Sequence, residues 1–173
     1  MIGALLLIPF FLIRFGLLSR LDKRAVGRAA YFAPLTAREK PAYFLYQISN
    51  AAILVALFFL RIQTAPVALF YVGMAVFLLG SIVLTVSMVN FAAPSDSGMN
   101  RGGLYRLSRN PMYVAYFLYF MGCTLLTQSL LLLVFILVFQ ISAHWIILAE
   151  ERWCIQSFGE EYISYMNRVR RYL

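Results

Sequence analysis

The sequence predicts an all-α, polytopic membrane protein with about five transmembrane helices, a C-terminal helical hairpin and a cytoplasmic amphipathic helix behind it. Three observations lead there. Hydrophobic residues fill 62% of the 173 positions and charged residues only 13%, against about 25% charged in an ordinary soluble domain. The apolar residues come in runs long enough to cross a bilayer core of about 30 Å. The basic residues flank those runs and form no patch on a soluble fold. A net charge of +8 would suit a nucleic-acid binder, but this placement argues against one. The charges read as topology determinants facing an anionic leaflet, so the expected partners are membrane lipids and no nucleic acid.

The chain is short enough to read as one membrane domain, 1–173. Residues 1–92 hold the first three helices. Residues 93–173 hold a loop, the last two helices and the amphipathic helix. The first span runs from about residue 2 to 18 and is interrupted by Arg14. No basic residue precedes its apolar stretch and positive charges follow it, so it reads as a retained helix and not a cleaved leader. Arg14 either snorkels to the nearby interface or marks an intramembrane site. The second span covers about 43–60, the third 67–91, the fourth 111–127 and the fifth 130–149. The basic segment from Arg20 to Lys40 carries Tyr31, Phe32, Pro34 and Leu35, which predicts an interfacial segment lying on headgroups. After Phe158, Tyr162, Tyr165, Met166, Val169 and Leu173 share one helical face. Glu160, Glu161, Asn167, Arg168 and Arg171 take the other, acidic residues first and basic residues last, as the helix dipole favours.

Loop charge sets the expected orientation. Six Lys or Arg residues lie between spans one and two, three between spans three and four, and four after span five. The opposite side has only Arg61. The positive-inside rule then puts the C-terminus in the cytoplasm and the N-terminus outside. Cys123 and Cys154 fit no metal-ligand spacing and read as free thiols. The single His144 cannot build a multi-histidine site, so no metal is expected.

Spans four and five are similar in length and joined by the short turn Thr127-Gln128-Ser129. They must form an antiparallel hairpin, which brings the residues before span four to those after span five. Before it come Ser97, Gly98, Met99, Asn100, Arg101, Gly102, Gly103, Leu104, Tyr105 and Arg106, then Arg109, Asn110, Pro111, Met112 and Tyr113. After it come Glu150, Glu151 and Arg152. Taken singly, the glycines make turns, Asn110-Pro111 starts a helix, and the charges solvate helix ends. Taken together, they bring acidic, basic, aromatic and exposed-backbone groups to one membrane-proximal spot.

The order Gly103-Leu104-Tyr105, Arg109-Asn110-Pro111-Met112-Tyr113, Glu150-Glu151, Phe158-Gly159-Glu160-Glu161-Tyr162 and Tyr165 resembles the isoprenylcysteine carboxyl methyltransferases and the related phospholipid N-methyltransferases. The resemblance covers roughly residues 90–173. It implies a membrane enzyme using S-adenosylmethionine, held at the cytosolic face by the loop before the last hairpin and the carboxylates after it. By position, the resemblance implies Tyr105, Arg109, Asn110, Pro111, Met112, Tyr113 and Glu150 as cofactor-binding residues. Ser97, Gly98, Met99 and Asn100 would add backbone contacts and Asn90 a polar one. Two positions depart from the prenylcysteine pattern. Asn110 stands where those enzymes have His, which is closer to the phospholipid branch. Ile146 stands where they place a substrate-pairing Arg, leaving Arg14, Arg106 or His144 for that task.

The chemistry is consistent. A carboxylate for ammonium or ribose hydroxyls, a cation for carboxylate and an aromatic face for adenine are met by Glu150, Arg109 and Tyr105 or Tyr113. An aromatic face also attracts a sulfonium. A carboxylate acceptor needs no general base, whereas an amine or thiol could use Glu151 or His144. A lipophilic substrate would enter sideways from the bilayer. The leading expectation is methyl transfer of the isoprenylcysteine carboxyl methyltransferase kind, with phospholipid or amine N-methylation as the alternative. A membrane reductase on a similar scaffold would bind nicotinamide instead, and a non-catalytic membrane protein would bind no cofactor. The sequence leaves oligomeric state open.

Overall fold

Every long apolar run folds as a helix. The computed structural model describes residues 1–95 and 97–173. Helix α1 (Gly3–Leu21) contains a π-helical turn at Leu12–Leu17. The others are α2 (Lys23–Ala30), α3 (Lys40–Phe59), α4 (Val67–Ala92), α5 (Pro111–Thr127), α6 (Leu130–Phe158) and α7 (Glu160–Met166). Among the described residues the only β pairing is an isolated bridge between Ile2 and Arg61. Helices α1, α3, α4 and α6 are long and apolar enough to cross a membrane, and α5 is a shorter apolar helix of 17 residues. The expected count of about five therefore resolves into four full-length helices and one short one.

Local chemistry fixes the boundaries. Asp22 caps α2 by accepting from the Arg24 amide at 2.9 Å. A proline occupies the first turn of both α3 and α5, where its missing N–H has no helical partner to lose. Ser129 caps α6 by accepting from the Leu132 amide at 3.2 Å. Gly159, at φ +53°, ends α6, a backbone state that glycine adopts without steric cost.

Helix α6 runs past the expected end at residue 149 to Phe158. Its 29 residues span about 43 Å at 1.5 Å each, while the 17 of α5 span about 26 Å. The two helices share the turn at Gln128. The final turns of α6 therefore rise beyond the start of α5, beside the 97–110 loop. This length difference builds the wall on which the polar residues gather.

The hairpin helices make their larger interfaces with other helices: α5 with α4, and α6 with α3. Glycines set the first interface. A Cβ on Gly122 would lie 2.5 Å from the Phe77 Cα, and one on Gly80 would strike the Tyr119 backbone. Small residues let apolar helices approach closely, which matters where lipid offers no hydrophobic drive for association. In the second interface Tyr46 of α3 stacks on Phe139 of α6, with centroids 4.7 Å apart. Helix α1 leans on α5 through Phe10, which packs against Tyr116, Tyr119 and Phe120.

The segment after α2 does more than lie flat. Residues 31–36 cross the helix ends without helical structure, and Gly27–Ala33 line the central cavity. The strap is held by Glu39, whose two oxygens each accept from Arg152 at 2.6 Å. The Arg152 guanidinium holds the Glu39 carboxyl down at about 2, from an ordinary 4.5. A depressed carboxylate stabilises fully above its unfolded value and loses that stabilisation as pH falls through its folded value. The melting temperature of the wild type minus that of Glu39→Gln should be positive and flat above pH 4.5, then shrink towards pH 2. A difference that stays constant across this window would show that the ion pair does not hold the strap.

The C-terminal segment is shorter as a helix than its periodicity predicts. Tyr162 and Tyr165 are buried as the apolar face requires, but Leu173 is 75% exposed. Arg171, expected on the solvent face, turns inward to Glu151 at 2.8 Å. After α7 the chain departs from the helix and docks on the loop before α5. There the Arg109 amide donates to the Arg170 carbonyl at 2.9 Å.

Candidate functional site

The ends of α1, α3, α5 and α6, the strap and the 97–110 loop enclose one cavity of about 730 Å³. It has two different halves. The loop half is lined by Gly98, Met99, Asn100, Tyr105, Arg109 and Glu151. The half that reaches into the helices is lined by Phe10, Phe11, Leu54, Phe120 and Phe139. Tyr113, Tyr116, Glu150, Arg14 and Tyr46 also line it. Phe11 and Phe15 of α1 line the cavity and are 40% and 51% exposed.

The hairpin brings the two sequence-distant clusters together. The Tyr113 hydroxyl donates to Glu150 at 3.0 Å. Arg109 pairs with Glu151 at 3.0 Å, with both side chains over nine-tenths buried. Loop geometry does the rest. Gly103, at φ +55°, packs so tightly on Asn90 that any Cβ would overlap the amide. Asn90 in turn accepts from the Leu104 amide at 2.9 Å. This fixes the 3₁₀ turn Gly103–Arg106, which points Tyr105 inward. The Tyr165 hydroxyl holds that turn from the other side by donating to the Tyr105 carbonyl at 2.6 Å. Burial pushes the Tyr105 hydroxyl well above its ordinary value and Tyr165 up to about 12, so both are neutral donors at physiological pH.

Among the described residues, three buried polar atoms on this face have no hydrogen-bond partner: Asn100 Oδ1, the Tyr105 hydroxyl and Arg109 Nε. Unmet polar atoms at such burial are uncommon and point to a ligand. The set offers an acceptor, a neutral donor and a cationic donor. It suits a polar molecule with amine, hydroxyl and carboxylate groups.

Of the sequence candidates, Gly98, Met99, Asn100, Tyr105, Arg109, Asn110, Met112, Tyr113, Glu150 and Glu151 line the cavity. Several others do not. Asn90 spends its amide on the loop turn. Ser97 faces away, its hydroxyl donating to Glu161 at 3.2 Å. Pro111 is buried at the helix start. Arg106 is exposed and outside the cavity, because the 3₁₀ turn sends it opposite to Tyr105. His144 lies outside as well, its Nδ1 2.8 Å from the Tyr172 hydroxyl. It shares a helix face with Glu151, as its spacing predicts, but the C-terminal tail covers its end of that face. Glu151 meets both Arg109 and Arg171, so its oxygens are engaged as counter-ions and are poorly placed to act as a base. Asn110 forms no side-chain cap for α5 and donates instead to the Arg171 carbonyl at 3.0 Å.

Sequence reasoning missed Tyr46, Gln47 and Asn50, which line the cavity from α3. The signal was present, since amides inside a membrane-length apolar helix face an interior far more often than lipid. It also missed Trp153, Phe158 and the strap residues Tyr31 and Phe32, which only the tertiary fold carries to the cavity.

The family model for phospholipid methyltransferase matches residues 64–161, more than half of the chain. This stretch covers α4, α5, α6 and the loop between α4 and α5. No curated protein and no solved structure matches the chain.

Proposed function

The chain belongs to the phospholipid methyltransferase family, and from that premise we propose that it is an S-adenosylmethionine-dependent methyltransferase of a lipophilic substrate at the cytoplasmic membrane face. The observation that carries this reading is the two-sided cavity, with Asn100, Tyr105 and Arg109 atoms that lack partners among the described residues at one end and a phenylalanine-lined recess at the other. The family implies methyl transfer. The cavity suits a polar methyl donor beside an apolar acceptor.

Bound cofactor supplies an electrophilic methyl group on a sulfonium. The residues of this chain do the holding. Arg109 offers its Nε, which has no partner among the described residues, to a carboxylate. Glu150, oriented by Tyr113, accepts from an ammonium or ribose hydroxyl. Tyr105 and Tyr113 present aromatic surface and attract a cation. The buried Glu151 between Arg109 and Arg171 keeps Arg109 fixed in place. Walls of phenylalanine and methionine exclude water, which strengthens the charge interactions inside. The acceptor reaches the recess sideways, past Phe11 and Phe15. The excess of Lys and Arg on the loop end supports a cytoplasmic position for that end.

Two acceptor classes remain in contest within this reading: a prenylcysteine-type carboxylate and a lipid amine. The test is direct. Purified protein should bind S-adenosylmethionine in calorimetry and transfer its labelled methyl to one of these two lipid classes. Binding of nicotinamide dinucleotide without S-adenosylmethionine, or no cofactor binding at all, would overturn the proposal.

A further inference from the structure

Arg14 is a cation in a membrane-length helix, where charge is costly and rarely without function. It lines the cavity among Phe10, Phe11, Phe15 and Phe120. Its direct partners are all neutral. It donates to the Tyr116 hydroxyl and, at 2.9 Å, to the Ala29 carbonyl. Its guanidinium also lies 5.5 Å from the Tyr116 ring centroid. No carboxylate among the described residues lies within ion-pair distance of it. The other cavity arginines differ: Arg109 meets Glu151 and Arg28 meets Asp22.

The backbone is specialised at the same point. Helix α1 is π-helical over Leu12–Leu17, centred on Arg14. Such turns are rare and recur at functional sites, because the extra residue re-aims a side chain. Helix α1 lies outside the stretch matched by the family model.

We propose that Arg14 is the acceptor-positioning residue, holding an anionic oxygen head group of the lipophilic substrate at the apolar half of the cavity. The inference rests on the methyl-transfer reading for the name "acceptor", but the site makes its own binding prediction. The charges of the loop half are used by the polar ligand. Arg14 then supplies the counter-charge for a second ligand, and the phenylalanines around it accept an apolar chain. A guanidinium fork fits carboxylate and phosphodiester oxygens alike, so either head group satisfies the geometry.

The test uses the full chain in neutral detergent and four probes: oleate, methyl oleate, oleylamine and dioleoylphosphatidylglycerol. The wild type should bind oleate or the phosphatidylglycerol at least about tenfold more tightly than the neutral ester or the amine, as a charge-assisted hydrogen bond warrants. Which anion wins identifies the head group as carboxylate or phosphodiester. Arg14→Gln should erase the preference and Arg14→Lys should retain part of it. Equal binding of anionic and neutral probes by the wild type would overturn the inference without need of a variant, as would a preference that survives in Arg14→Gln. Failure of S-adenosylmethionine binding in a protein that still selects the anion would sink the methyltransferase reading and leave the anion site standing.

Discussion

Glu150→Gln is expected to weaken S-adenosylmethionine binding by roughly 10- to 150-fold, the range for losing a hydrogen bond to a charged group. The substitution keeps size and shape and removes only the negative charge. The Tyr113 hydroxyl, 3.0 Å from Glu150, can still donate to the amide oxygen, so the helix contact survives. A cationic ligand group loses its counter-charge in a water-poor cavity. Calorimetric titration of both proteins with S-adenosylmethionine and with its neutral-sulfur product checks this. Both ligands should weaken if Glu150 reads the ammonium. A selective loss of the sulfonium form would place the methyl-bearing sulfur beside Glu150. Equal affinities of mutant and wild type for both ligands would remove Glu150 from the site.

Glu151→Ala should be the most damaging change to stability, by about 3–5 kcal/mol, because it leaves buried positive charge uncompensated. Glu151 is 5% exposed and holds Arg109 at 3.0 Å and Arg171 at 2.8 Å. Arg171 in turn carries the C-terminal tail, whose backbone meets Ser108, Arg109 and Asn110. Loss of the carboxylate therefore releases both the tail and the loop that presents Arg109. Thermal unfolding in detergent should show the drop. Adding Arg109→Met and Arg171→Met to the same chain should recover part of it, since an apolar replacement for a whole buried ion group is often tolerated. No recovery in the triple variant would mean that the tail contacts, and not the buried charge, dominate.

These two neighbouring carboxylates show how far the sequence could be read. Adjacent residues on a helix point about 100° apart, so Glu150 and Glu151 could not share one role. Pattern alone does not say which faces which neighbour. The structure turns Glu150 to Tyr113 and Glu151 to the two arginines. The same limit explains Arg106 and Arg109. Both read as loop cations, but the 3₁₀ turn pinned by Asn90 and Gly103 leaves Arg106 exposed, while the buried Glu151 pairs with Arg109. His144 had the right spacing to Glu151 and the wrong neighbourhood, because the tail that ends at Leu173 folds back over it through Tyr172.

Hydrophobic run length determined the helices, since a bilayer-length apolar segment satisfies its backbone most simply as a helix. The short turn at Gln128 determined that the 97–113 cluster and the Glu150 pair meet, since two antiparallel helices of similar apolar length return the chain to its starting level. Those are local or nearly local constraints, and they are written along the chain. The division of the cavity into a polar and an apolar half was decided only by tertiary packing. It depends on glycine contacts between α4 and α5, on a strap latched by Glu39 and Arg152, and on α1 bringing Arg14 beside Tyr116. Each joins residues far apart in sequence through shape and charge complementarity, which no periodicity in a single chain encodes.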